Sequence, residues 1–202
     1  MKFRLNSDKF EGMKNIIEDQ EFKNLDFTQQ QFVQANYENC IFSHCNFKEV
    51  ILSDLDFTDC VFNHCDLSLI KLNATSLKTV TFNHCNLLGV NFSHCKSFLL
   101  AFNFKHCLLN LASFYSLKIK GTLFSNCNLK EADFTSADLS LAFFEHCEMA
   151  GALFENTKLE KADFRSAYDF AINPSINNIK KAKFSRSGLA GLLYQYQIEI
   201  ED

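Results

Sequence analysis

The 202-residue sequence has no tryptophan, one proline and only six glycines. A compact domain with ordinary loops averages about 7% glycine and 5% proline, so this scarcity predicts few irregular connections. No segment approaches the roughly 18 consecutive apolar residues of a membrane-spanning helix, which argues against a membrane protein. Residues 1–22 also lack the apolar core of a secretory signal, so we expect a cytoplasmic protein with reduced thiols.

Charge is nearly balanced but unevenly distributed. The chain has 20 basic and 24 acidic residues, which argues against both an acidic disordered tail and a uniformly basic nucleic-acid binder. Residues 1–66 hold 12 acids and 6 bases, residues 67–130 hold 7 lysines and no acid, and residues 131–202 hold 12 acids and 7 bases. We therefore predict a basic belt between two acidic ends.

The dominant signal is a period of five residues. Aromatic or aliphatic residues, termed centres here, recur at every fifth position, and the register shifts once by two residues. The centres of the first run are Phe22, Phe27, Phe32, Tyr37, Phe42, Phe47, Leu52, Phe57, Phe62, Leu67, Leu72, Leu77, Phe82, Leu87 and Phe92. Those of the second run are Phe104, Leu109, Phe114, Ile119, Phe124, Leu129, Phe134, Leu139, Phe144, Met149, Phe154, Leu159 and Phe164. A small or medium residue usually stands two positions before a centre, and Asn or Asp often stands one position before it.

A period of five fits neither an amphipathic helix nor a half-buried strand. It fits a coil with four sides of five residues, in which one large and one small residue per side point inward. In each later coil, the position equivalent to Phe22 is also phenylalanine: Phe42, Phe62, Phe82, Phe104, Phe124, Phe144, Phe164 and Phe184. We predict an unbroken phenylalanine stack with about 4.8 Å between rings, in a column of about eight coils and about 39 Å.

Two adjacent units carry a resemblance to a known family. Residues 132–136 and 137–141 read Ala-Asp-Phe-Thr-Ser and Ala-Asp-Leu-Ser-Leu, similar to the A(D/N)LXX units of the pentapeptide-repeat family. The resemblance covers about residues 17–186 and implies an all-β, right-handed quadrilateral β-helix. We divide the chain into an N-terminal cap (1–20), the β-helix (21–186, with the register shift near 96–102), and a C-terminal capping and dimerisation segment (187–202) with a short helix and a tail.

The nine cysteines and six histidines follow the same period. Every cysteine occupies the small inward position, and every histidine immediately precedes a cysteine and points outward. Neighbours that point in opposite directions cannot share a zinc ion, so we expect cysteine to fill space and we expect no metal and no disulfides. Stacked histidines would repel one another when protonated, so we expect some loss of stability toward pH 5.

The sequence shows no catalytic motif. It has no glycine-rich phosphate loop and no GxSxG element, and outward carboxylates on a convex column lack the partly buried pocket that tunes catalytic groups. We therefore expect a protein that is not an enzyme and that binds no cofactor. Binding of a partner along the surface is the leading class of function.

Within the family, the chain is most similar to the Qnr quinolone-resistance proteins and to the immunity proteins McbG and AlbG. The similarity includes the cysteine-rich units, the segment 169–177 and the tail ending Ile-Glu-Ile-Glu at 198–201. It implies a homodimeric rod that mimics duplex DNA, binds DNA gyrase or topoisomerase IV and protects it from quinolones or peptide toxins. The alternative is a repeat scaffold for other protein partners; direct DNA binding through the lysines is the third and weakest option.

Candidate contact residues follow from these interpretations. For partner binding we select acidic residues of the last third and two residues of the register shift: Asp133, Asp138, Glu145, Glu148, Glu155, Glu160, Asp163, Phe98 and Leu99. For dimerisation we select Leu189, Leu192, Leu193, Tyr194, Tyr196, Ile198 and Ile200. The apolar residues near Phe98 suggest that the shift tucks against the column, and a projecting recognition loop is the alternative.

Overall fold

The computed structural model describes residues 15–199, which form one column of short parallel strands. The strands are β1 (Asn15–Glu18), β2 (Glu21–Lys23), β3 (Ala35–Glu38), β4 (Ile41–Ser43), β5 (Asp56–Thr58), β6 (Val61–Asn63), β7 (Ser76–Lys78), β8 (Val80–Asn83), β9 (Phe102–Lys105), β10 (Leu123–Ser125) and β11 (Phe143–Glu145). Three 3-10 helices occupy Phe92–His94, Ser187–Leu192 and Tyr194–Tyr196. The predicted cap 1–20 lies mostly outside the described residues, and its last part already forms β1.

The column has four sides. Side 1 is the seven-stranded sheet β2-β4-β6-β8-β9-β10-β11, and side 4 begins as the four-stranded sheet β1-β3-β5-β7. Side 2 has its centres from Phe27 to Met149, and side 3 has its centres from Phe32 to Phe154. Within each of these sides, isolated parallel bridges link successive coils, such as Asp26 to Asn46 on side 2 and Asn91 to Ser113 on side 3. Strands one coil apart are in register, with Phe62 opposite Phe82 and Phe82 opposite Phe104. The predicted quadrilateral β-helix and its two-residue shift are therefore confirmed.

Left-handed backbone conformations mark the corners. Among the described residues, 26 non-glycine residues and three glycines have positive φ angles, and most are the second residue after a centre. This conformation is unfavourable for a residue with a Cβ atom, and the coil-to-coil hydrogen bonds offset its cost. The corner amide of His44, for example, donates to the carbonyl of Asn63 at 2.9 Å, and that of His64 donates to Asn83 at 2.9 Å.

The core is a stack of aromatic rings flanked by smaller side chains. On side 1, the eight successive phenylalanine pairs from Phe22 to Phe184 stack with centroids 4.6–5.3 Å apart and planes within 17°. The predicted unbroken stack is therefore confirmed. A shorter stack on side 3 runs from Phe92 to Phe154 with steps of 5.0–5.1 Å.

Cysteine fills the small inward position as predicted. All nine cysteines are buried and free. The thiol of Cys65 donates to the carbonyl of Phe42 in the coil below and to that of Asn63, both at 3.4 Å. Burial raises the pKa of the Cys95 thiol to about 12, so this thiol is protonated at neutral pH.

The C-terminal segment closes the last coil through close contact with Phe170. A Cβ atom on Gly191 would lie 2.2 Å from the carbonyl oxygen of Phe170, so only glycine fits there. Leu192 packs against the core from the 3-10 helix. The short helix predicted near 187–194 is therefore present as a 3-10 helix.

Candidate partner-binding surfaces

The seven predicted acidic contact residues lie around the column and not on one side. Asp163 and Glu145 are on side 1, Glu148 on side 2, Asp133 and Glu155 on side 3, and Asp138 and Glu160 on side 4. The structure thus brings them together only as a belt that encircles the last third of the column. A flat partner could contact two sides of this belt at most.

Three of these acids already have basic partners within the chain. Lys120 Nζ lies 3.3 Å from Asp138 Oδ2, and Lys130 Nζ lies 2.7 Å from Glu148 Oε1. Asp163 pairs with Arg165 at 2.7 Å and with Lys183 at 3.7 Å. Their negative charge is locally compensated, which weakens them as elements of a DNA-like surface.

Asp138 has a structural role. It is 8% exposed, and its Oδ1 accepts hydrogen bonds from the amide and hydroxyl groups of Ser140 at 3.2 and 2.7 Å. Burial raises the pKa of Asp138, but the hydrogen bonds from Ser140 and the charge of Lys120 outweigh it, so the pKa is lower than usual. Asp133 makes the same bond to the amide of Thr135 at 2.9 Å. At these two positions, the Asp before the centre therefore serves turn formation.

The exposed acids of this belt are Glu145 and Glu155, with Glu160 half-buried. None of the three forms an ion pair within residues 15–199. Glu131, which the sequence reasoning missed, is also exposed, at a corner with φ of 56°. Its position two residues after the centre Leu129 is the signal that could have identified it.

The register shift projects a small apolar tip from side 4. Phe98 and Leu99 are 73% and 63% exposed, so the tucked interpretation is wrong for these two residues. Leu100 packs against the core, and Phe102 fills an inward position. The projection is short because the inserted chain returns to the ladder at Ala101, whose amide donates to Leu77 at 3.0 Å.

The predicted dimerisation residues form an exposed apolar surface at the C-terminal end. Leu189, Leu193 and Tyr194 are 49%, 37% and 52% exposed, and Tyr196 and Ile198 are 61% and 54% exposed. Leu192 faces the core instead, and Ile200 lies outside the described residues. An apolar surface of this kind at the end of a solenoid is typical of an interaction site.

The corner between sides 1 and 2 carries a histidine ladder. His44, His64, His84 and His106 are exposed and stack with centroids 4.5–4.8 Å apart and planes within 8°. A shallow depression of about 400 Å³ is lined by the last three of these histidines and by Asp66. Within residues 15–199, no group of three or more His, Cys, Asp or Glu side chains could hold a metal ion.

A second depression, of about 370 Å³, lies on side 1 of the last third. Phe143, Glu145, His146 and Arg165 are among its lining residues. Arg165 is occupied by Asp163, to which it donates hydrogen bonds of 2.7–3.1 Å, and this contact lowers the pKa of Asp163. The recess offers a partner a contact point beside the exposed Glu145.

Comparisons with known proteins concern the repeat and the fold. The family model described as a pentapeptide repeat region matches residues 55–134, and that described as pentapeptide repeats (8 copies) matches residues 21–59. No curated protein matches the sequence. Within the described part of the chain, no helix is long and apolar enough to cross a membrane.

Several solved structures are similar. QnrB1, a plasmid-mediated fluoroquinolone resistance protein, is 16% identical with a TM-score of 0.45, over 93% of this chain and 100% of that chain. HetL, a pentapeptide repeat protein involved in heterocyst differentiation regulation in the cyanobacterium Nostoc, is 16% identical with a TM-score of 0.37, over 88% of this chain and 89% of that chain. The family models together match more than half of the sequence, and its strands form the coils that such repeats build. The chain belongs to the pentapeptide-repeat family.

Proposed function

We propose that this protein is a non-enzymatic, DNA-mimicking rod that binds DNA gyrase or topoisomerase IV in the cytoplasm and protects the enzyme from quinolones or peptide toxins. The observation that carries the proposal is a group of exposed carboxylates that form no ion pair within residues 15–199, among them Glu131, Glu145 and Glu155, in the coils toward the apolar C-terminal end. In a dimer joined at that end, these carboxylates would lie near the centre of a long rod. There they could contact a positively charged DNA-binding surface.

The dimensions of the column support this proposal. Eight ring-to-ring steps of about 5 Å give a column of about 40 Å, so two columns joined end to end extend about 80 Å. Duplex DNA rises 3.4 Å per base pair, so the dimer would match roughly 23 base pairs. We assign the joint to the exposed side chains of Leu189, Leu193, Tyr194 and Tyr196.

A supercoiling assay tests the proposal. DNA gyrase would be titrated with the protein, with and without ciprofloxacin. Rescue of supercoiling from the drug supports protection, whereas inhibition without rescue would mean that the protein competes for the enzyme but leaves it sensitive to the drug. The double variant Glu145→Lys/Glu155→Lys should lose either effect, and the matched control Glu49→Lys/Asp54→Lys, exposed acids of the opposite end, should retain it. Asp138 is unsuitable for this test because its loss would disturb a turn.

A specific observation favours the alternative function, a scaffold for another protein. Residues 67–130 contain no acid, and three of the seven predicted contact acids are neutralised within the chain. Neither feature suits a continuous polyanion. The same assay separates the two functions, because a scaffold for a different partner would leave gyrase from the same organism unaffected at every concentration.

A further inference from the structure

Side 4 is divided into an acidic half and a basic half. The outward positions from β1 to β5 carry five acids and no base: Glu18, Asp19, Glu38, Asp56 and Asp59. The next three coils carry four lysines: Lys78, Lys96, Lys118 and Lys120. The first acid beyond them is Asp138, which pairs with Lys120. No other side of the column separates its charges in this way.

Both halves contain charged side chains that form no ion pair within residues 15–199. Glu18 and Glu38 are direct neighbours on adjacent strands, an arrangement in which like charges destabilise a sheet. Across the two halves, the only ion pair within residues 15–199 joins Lys96 and Asp56 at 3.5 Å. A surface of opposite charge placed against either half would relieve this repulsion.

We propose that side 4 binds side 4 of a second copy of the chain, with the two columns antiparallel. A two-fold axis perpendicular to the column, between the coils of Phe57 and Leu77, places each acidic half on the basic half of the other copy. Glu18 then faces the coil of Lys118 and Lys120, and Asp59 faces that of Lys78. A parallel arrangement would instead place acid on acid, so symmetry selects the antiparallel one.

The projecting tip sets the register of this contact. Under the same axis, the coil of Phe98 and Leu99 faces the coil of Tyr37 in the second copy, next to Ile16. Ile16 is 54% exposed, so it offers an apolar surface at that point. The two-fold axis creates this contact twice, once at each end of the paired halves. The contact area is limited to one narrow side over six coils, so we expect weak and salt-sensitive association.

Other occupants fit this surface less well. An acidic protein would match the lysine half but would be repelled by the five acids on the same side. An anionic lipid surface would meet the same repulsion, because a flat membrane must contact both halves. A second copy supplies both signs of charge in the required order.

The experiment compares self-association of two charge-reversed variants of the full chain by sedimentation velocity. Lys78→Glu/Lys118→Glu cancels the net positive charge of the lysine half, because only Lys96 and Lys120 remain. Glu18→Lys/Glu38→Lys removes most of the net negative charge of the acidic half, because only Asp19, Asp56 and Asp59 remain. We expect each variant alone to associate at least tenfold more weakly than the parent protein in 50 mM NaCl. An equimolar mixture of the two should associate again, because the unchanged acidic half of the first variant then faces the unchanged lysine half of the second. Raising NaCl to 500 mM should weaken both the parent and the mixture at least tenfold.

The matched control is Lys48→Glu/Lys105→Glu, which reverses two exposed lysines on sides 2 and 1 and should leave association unchanged. The proposal is overturned if association is insensitive to salt, if the control weakens it equally, or if the mixed variants stay apart. Binding of the parent protein to phosphatidylserine vesicles without self-association would also overturn it. A C-terminal dimer would add a salt-insensitive association that neither variant changes. Because gyrase activity is not measured in this experiment, a result that overturns the side 4 contact is distinct from a result that overturns the proposed function.

Discussion

Two diagonally opposite corners of the column differ in uniformity. Between sides 1 and 2, the corner repeats phenylalanine, a variable residue, histidine and cysteine in coil after coil, with Asn126 as one exception among the histidines. Between sides 3 and 4, the corner residues include Asp54, Ala74, Ser116 and Ser136, and the inward residues that follow vary from alanine to leucine and threonine. Both corners use the same left-handed turn. The fold therefore tolerates many residues at a corner and does not by itself require the histidine and cysteine ladders.

The same hydrogen bond is made by different atoms at the two corners. At the uniform corner, the thiol of Cys65 donates to the carbonyl of Phe42 at 3.4 Å. At the variable corner, the hydroxyl of Thr157 donates to the corresponding carbonyl of Phe134 at 2.9 Å. Hydroxyl donors are stronger than thiol donors, so the bond from Thr157 should stabilise the fold more than the bond from Cys65.

The largest effect should come from the ring stack beside the uniform corner. Phe124 is fully buried and stacks on Phe104 and Phe144 at 5.3 and 5.1 Å. We expect Phe124→Ala to lower the free energy of unfolding by about 3–5 kcal/mol, measured by guanidinium denaturation. The exposed Phe98→Ala is the control and should change it by less than about 0.5 kcal/mol. Equal losses in both variants would mean that the stack is not the main source of stability.

A smaller effect should come from Asp138, directly after the variable corner. Because its folded-state pKa is below the ordinary value, the ionised carboxylate stabilises the fold above about pH 4, and this stability is lost as the pH falls through the folded-state pKa. We expect Asp138→Ala to cost about 2 kcal/mol at pH 7, since the bonds from Ser140 are lost.

Asp138→Asn is the matched comparison, because the amide oxygen can still accept both bonds from Ser140. It should cost less than Asp138→Ala at pH 7 and should flatten the loss of stability as the pH falls below about 4. Thermal unfolding at several pH values measures both effects. If Asp138→Ala is as stable as Asp138→Asn, the hydrogen bonds from Ser140 do not contribute to the stability of the fold.

Periodic features of the structure could be predicted from the sequence, and features that depend on neighbouring coils could not. The phenylalanine stack and the inward cysteines follow directly from counting in fives, so their positions were predicted correctly. Asp138 was predicted as a partner-binding acid, and its pairing within the chain was missed because Lys120 lies 18 residues earlier, in the coil below. The apolar composition of the register shift suggested burial, but the ladder closes again at Ala101 and leaves no inward position for Phe98. The charge division of side 4 emerges only when outward positions are sorted by side across the shift.

The smallest expected effects compare the thiol hydrogen bond at the uniform corner with the hydroxyl hydrogen bond at the variable corner. Cys65→Ala removes one sulfur atom and two long thiol bonds, so we expect a loss of about 1 kcal/mol in the free energy of unfolding. Thr157→Ala removes a buried hydroxyl and leaves the carbonyl of Phe134 without this donor, so we expect a larger loss of about 2 kcal/mol. Cys65→Ser keeps a donor of similar size at the uniform corner and should restore most of what Cys65→Ala loses. If Cys65→Ala proves more costly than Thr157→Ala in guanidinium denaturation, packing of the cysteine ladder, and not hydrogen bonding, distinguishes the two corners.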